Sequence, residues 1–276
     1  MNKFAQTDSH QVAQTSLCRG VIFLCWLAVS GLTHAQTTNV SGTLTRETQP
    51  LAAEHSQREN IEWCDIWVPH VNESALPRVL LIGDSITRGY YPAVDKQLEG
   101  KASVARLATS SFITDPALLQ EITLVLDNYQ FDVIQFNNGM HGWQHSEAEY
   151  RDGFPKFLAI IREHAHNAKL IWADTTPLKE ESPGAESNEP AAAAGKGVDA
   201  GKLMLKKDLT TANNTRINAR NTIAHECVKP LGIPVDNLYT PMLGHPEYYS
   251  GNVHFNTHGV EVQARLVAAQ IEGVLK

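Results

Sequence analysis

Few of the features that would tie a chain to nucleic acid, membranes or metals are present in this sequence. Lys and Arg number 23 against 30 Asp and Glu, for a formal net charge of -7. The basic residues are scattered, with no stripe that could track a phosphate backbone, so nucleic acid and an anionic membrane surface are poor partners. Cysteine is scarce, with only 4 in the chain. There is no internal repeat of fixed period, which removes solenoids and propellers from consideration. The apolar run Val21–Leu32 is too short to span a bilayer comfortably. His141 and His145 stand four apart, but no matching acidic or cysteine cluster completes a metal site, so no metal is expected.

What is there suits one α/β domain. The 276 residues are 42% hydrophobic and 19% charged, ordinary values for a globular chain with a sizeable core. Lys3 and Arg19 precede the apolar run, and Thr33-His34-Ala35 follows it. Positive flank, short apolar core and small-residue end read as a secretory signal over residues 1–35, cleaved after Ala35. The expected location is secreted or periplasmic, without a stable membrane span; a single anchor is the alternative. Residues 36–60, rich in Thr, Ser, Gln and Glu, read as a flexible leader, and the folded domain is expected over 61–276. Cys64 and Cys227 would survive cleavage. They either pair in an oxidising compartment or remain as two buried thiols.

Short runs rich in Val, Ile and Leu predict strands at Arg78–Gly83, Ser103–Leu107, Phe131–Phe136, Lys169–Ala173 and Ile233–Asp236. Helices alternate with them. Ser146 with Glu149 has the capping-box form, and Tyr150, Phe154, Phe157, Leu158, Ile161 and Ala165 follow at helical spacing. A last helix from about Thr257 places Val260, Ala264, Val267, Ile271 and Val274 on one face. Repeated β-α units predict a parallel sheet covered by helices on both sides. Residues 179–208, with Ser, Pro, Gly, Glu and an alanine run, read as an inserted surface loop, either a lid or a spacer.

Three segments could carry chemistry. In VLLIGDSITRGYY, Val79–Tyr91, a buried strand ends at Gly83 and Ser85 sits where a helix begins. Ligands of open parallel sheets bind beyond the carboxyl ends of strands. A serine there exposes its hydroxyl, and its N–H at a helix N-terminus can hold an oxyanion; the plainer role is helix capping. Near the C-terminus, His254 lies in the polar loop Gly251–Thr257 before the last helix, where an imidazole could take a serine proton. After the third predicted strand, Asn137 and Asn138 could each donate an amide N–H, or simply form a turn.

Together these segments resemble the SGNH hydrolases, also called GDSL-type esterases, from about Arg78 to the C-terminus. Gly83-Asp84-Ser85 matches that family's nucleophile motif and Val253-His254-Phe255 the motif around its histidine. The resemblance implies a three-layer α/β/α sandwich with a flavodoxin-like sheet. It also implies ester hydrolysis through an acyl-serine, with Ser85 as nucleophile, His254 as base and no cofactor. The expected substrate is a small-molecule or carbohydrate ester, with an O-acetylated sugar first. A carbohydrate-binding domain that has lost catalysis and an acyltransferase are the alternatives; the oligomeric state is unknown. Three positions depart from the family. Gly251 stands where an Asp usually orients the histidine, leaving Glu247 or Asp236 as the acid, or a Ser85–His254 dyad. The oxyanion glycine has no match, and the N–H of Ser110 takes its place in this reading beside that of Ser85. Asn137-Asn138-Gly139 replaces the usual Gly-x-Asn-Asp, with either Asn as the side-chain donor.

Overall fold

A computed structural model describes residues 58–179 and 200–276, with side chains in the second stretch from residue 214 onward. The expected signal segment, most of the leader and residues 180–199 of the expected loop lie outside the described residues.

Six strands form one sheet: β1 (Cys64–Trp67), β2 (Arg78–Gly83), β3 (Ser103–Thr109), β4 (Val133–Phe136), β5 (Lys169–Ala173) and β6 (Val235–Asp236). Their order is β1-β3-β2-β4-β5-β6. The strands from β3 to β6 are parallel, and β1 joins β3 antiparallel, with Cys64 opposite Thr109. The parallel part has the flavodoxin-like order, whose reversal point falls at β2.

Alternation along β2 divides the core. Val79 and Leu81 pack with Ile86, Tyr90 and Val94 of α1 (Ser85–Gln97) and with Val267 and Ile271 of α5 (Thr257–Leu275). Leu80 and Ile82 face the other way. They join Leu118 and Ile122 of α2 (Pro116–Asn128), Phe154 and Phe157 of α3 (Glu147–His164) and Ile223 of α4 (Ala200–Val228). A period of two in a central strand therefore produces three layers, because both faces must be covered. The α/β/α sandwich expected from the sequence is present. Ser146 caps α3 in the expected capping box, its hydroxyl accepting from Glu149 N at 3.2 Å and Glu149 accepting from Ser146 N at 2.8 Å. Among the described residues no helix is long and apolar enough to cross a membrane.

Four expectations need correction. The edge strand β1 was not among the predicted strands. Residues 200–208, read as loop, begin α4. Ordered contacts start before Ile61, since Arg58 holds Asp115 through two bonds of 2.8 and 2.9 Å. Cys64 and Cys227 are both free thiols. Cys64 lies on one edge strand, and Cys227 is in the last turn of α4, the helix that leads to the opposite edge strand.

Candidate active site

The site forms at the carboxyl end of β2. Asp84 caps α1, its carboxylate accepting from Ile86 N at 2.8 Å, and Ser85 is the first helical residue. Gly83 permits this tight exit, because a Cβ there would lie 2.0 Å from Thr87 Oγ1. At the first helical position the Ser85 N–H has no intrahelical acceptor, and it has no other partner among the described residues.

His254 reaches this serine from the loop before α5. Its Nε2 is 2.8 Å from Ser85 Oγ, bringing together residues 169 apart in sequence. The loop is braced on several sides. Ser250 N donates to His254 O at 2.9 Å, and Asn256 N to Tyr248 O at 2.8 Å. Asn256 caps α5 with its side-chain oxygen, while its amide donates to Glu247 O at 2.7 Å. Tyr249 OH donates to Pro177 O at 2.9 Å. These bonds brace the backbone that carries His254, and the ring itself is held by its contact with Ser85 Oγ.

Neither candidate acid touches that imidazole. Glu247 is exposed and pairs with His245 Nδ1 at 2.8 Å, which holds its carboxyl below the usual range. Asp236 is buried on β6 and accepts from Gln135 Nε2 at 2.6 Å. Among the described residues no carboxylate forms an ion pair or hydrogen bond with His254. The geometry is that of a Ser-His dyad.

Two of the expected oxyanion donors are otherwise engaged. The Ser110 N–H donates to Trp63 O at 3.1 Å, and its hydroxyl to Glu62 at 2.7 Å, because β1 and the residues before it lie along β3. The Asn137 amide donates to Ala173 O at 2.8 Å and Thr175 Oγ1 at 2.9 Å, turned into the sheet. Both of its N–H groups are thereby used. Asn138 spends one N–H on Ser111 O at 2.9 Å and keeps a second.

Several neighbouring residues were not anticipated. Glu59 accepts from His141 Nδ1 at 3.0 Å and from Gly142 N at 3.1 Å. Burial would lower the His141 pKa, but the bond to Glu59 and the charges of Asp84, Glu59 and Glu62 outweigh it and leave it raised. Arg220 is fully buried and holds carbonyls of the loop after β4. A fully buried arginine becomes visible only once the helix carrying it is placed. His145 pairs with Glu149, and among the described residues no cluster of three or more His, Cys, Asp or Glu could hold a metal.

Neither a protein-family model nor a curated protein sequence matches the chain. Solved structures do. A carbohydrate esterase family 3 protein from Talaromyces cellulolyticus superposes with a TM-score of 0.51 at 14% identity, covering 72% of this chain and 97% of its own. A protein assigned as a GDSL-like lipase from Bacteroides ovatus gives a TM-score of 0.51 at 13% identity, over 72% of this chain and 53% of its own. At such identities the likeness establishes the fold, which is that of the SGNH hydrolases.

Proposed function

We propose that the chain is an exported serine esterase working through an acyl-serine on Ser85. The observation that carries this reading is the 2.8 Å contact between Ser85 Oγ and His254 Nε2 at the end of the central strand. A serine hydroxyl becomes a competent nucleophile when a neighbouring imidazole takes its proton. Ser85 attacks the ester carbonyl as its proton passes to His254 Nε2. The unpartnered Ser85 N–H, at the positive end of α1, stabilises the oxyanion. His254 then gives the proton to the departing alcohol. Water, deprotonated by the same nitrogen, releases the acid and restores Ser85.

The substrate class follows from fold analogy, which is an associational ground. A carbohydrate esterase has the same fold, and export would bring the protein to extracellular glycans, so an O-acetylated carbohydrate is the preferred ester. The test is turnover of p-nitrophenyl acetate and of acetylated oligosaccharides by the wild type and by Ser85→Ala. Turnover by the wild type, lost by several orders of magnitude in a folded Ser85→Ala protein, is expected. Equal turnover by both would reject Ser85 as nucleophile.

A further inference from the structure

With Ser110 and Asn137 committed elsewhere, the side-chain and β3 donors expected opposite Ser85 reduce to the one remaining N–H of Asn138. The loop after β4 offers replacements, and they are backbone groups. Its carbonyls are held from the side of the sheet that carries α3 and α4. Tyr150 OH donates to Asn138 O. Arg220 donates to Gly139 O at 2.9 Å, His141 O at 2.7 Å and Gly142 O at 3.1 Å. Its guanidinium lies over the rings of Trp143, Phe112 and Tyr150 at 4.7, 5.3 and 5.3 Å, and the residue is 0% exposed.

In a planar trans peptide the N–H points opposite to the C=O of the same unit. The loop itself shows this in the unit joining residues 141 and 142, where His141 O meets Arg220 and Gly142 N meets Glu59. By the same geometry, anchoring Asn138 O and Gly139 O turns the N–H groups of Gly139 and Met140 away from α3 and α4. The exit of β2, with Ser85 at the start of α1, adjoins this loop. Neither N–H has an acceptor among the described residues, although buried backbone N–H groups are almost always paired. The register brings the two chains out of the sheet side by side, Ile82 beside Phe136, with Asn137 N donating to Ile82 O at 2.9 Å. Met140 and Asp84, the residue before Ser85, line one cavity together with Ile86, Thr87 and Asn137.

We propose that the N–H groups of Gly139 and Met140 complete the oxyanion hole opposite the Ser85 N–H, with Arg220 and Tyr150 as the positioning residues that aim them. This rests on the esterase reading and departs from the side-chain donor that the resemblance implied. Preorganised donors of this kind act only as charge develops on the substrate oxygen, so they change kcat rather than KM.

The test replaces residue 139 or 140 with its α-hydroxy acid counterpart, which exchanges one N–H for an ester oxygen. At one or both positions kcat for p-nitrophenyl acetate should fall roughly 100-fold, the loss typical of one oxyanion donor. KM should stay within about twofold, as expected for an interaction made only in the transition state. The thermal unfolding temperature should fall only modestly: the deleted N–H has no partner in the protein, while the ester carbonyl left behind accepts more weakly from Tyr150 or Arg220. Arg220→Lys keeps the charge but cannot serve three carbonyls in a fixed fork, and should lower kcat by about tenfold or more at unchanged KM. If Arg220→Lys does not fold, the ester variants decide alone. A wild type without turnover overturns the esterase reading and this proposal together. An active wild type with both ester variants within about twofold in kcat overturns this proposal only.

Discussion

At the scale of single residues, the departure at Gly251 changes how the histidine must work. An acid beside the imidazole fixes its tautomer and stabilises the imidazolium formed during acyl transfer. Here Ser250 N on His254 O and the Asn256 cap brace the loop backbone, and among the described residues no carboxylate pairs with the ring. His254→Ala should therefore remove most of the turnover, by about three orders of magnitude or more. Glu247→Gln should alter kcat by less than about threefold, because Glu247 is spent on His245. Steady-state kinetics on the two variants decides, and comparable losses would make Glu247 a third member of the site. The pairing of Ser85 with His254, the proposed nucleophile and base, was legible in the sequence because each sits in a short motif beside a strand end or a helix start. The committed donors were not. The bonds of Ser110 and Asn137 run to Trp63 and Ala173, and such partners are assigned only by strand order.

Among elements, α3 links the sequence pattern most directly to the site. Its capping box satisfies two otherwise unpaired backbone donors, and Tyr150, one residue past Glu149, ties the helix to Asn138 O. Ser146→Ala removes the cap, and urea unfolding should register a loss of about 1 kcal/mol. A change below about 0.3 kcal/mol would mean that packing of Phe154 and Phe157 alone fixes the helix start. The buried parallel strands were readable as continuous apolar runs. β1 was not, since CDIW is short, mostly exposed and preceded by polar leader residues, so neither period nor burial marks it. The start of α4 was hidden by composition. Ala200 and Gly201 continue a stretch of alanine and glycine that reads as loop, and the helix is fixed further along, where Arg216, Arg220 and Asn221 meet other elements.

Across the whole molecule, the carboxyl edge of the sheet concentrates buried acids, and this sets how stability depends on pH. Asp236 is 5% exposed. Burial, reinforced by the nearby charge of Asp174 and opposed by the bond from Gln135, pushes its pKa up to about 7. Asp174, held by His225 at 2.7 Å and Trp172 Nε1 at 3.1 Å, is also raised, with burial again the largest cause. An unfolded aspartate titrates near 3.9. Between roughly pH 4 and pH 7 the folded protein holds a proton on Asp236 that the unfolded chain has released. Folding then binds protons, so stability falls as pH rises through this window and the loss is complete above the folded pKa. Asp236→Asn removes the ionisable group while its Oδ1 can still accept from Gln135. The variant should match wild type at about pH 4, where the wild-type side chain is neutral in the folded state. It should exceed wild type by on the order of 2–4 kcal/mol at about pH 8, a difference of some three pKa units at most. Chemical denaturation at the two pH values measures this directly. A difference of the same size at both would mean that Asp236 acts through packing, and its burial in charged form would then carry no cost to the fold.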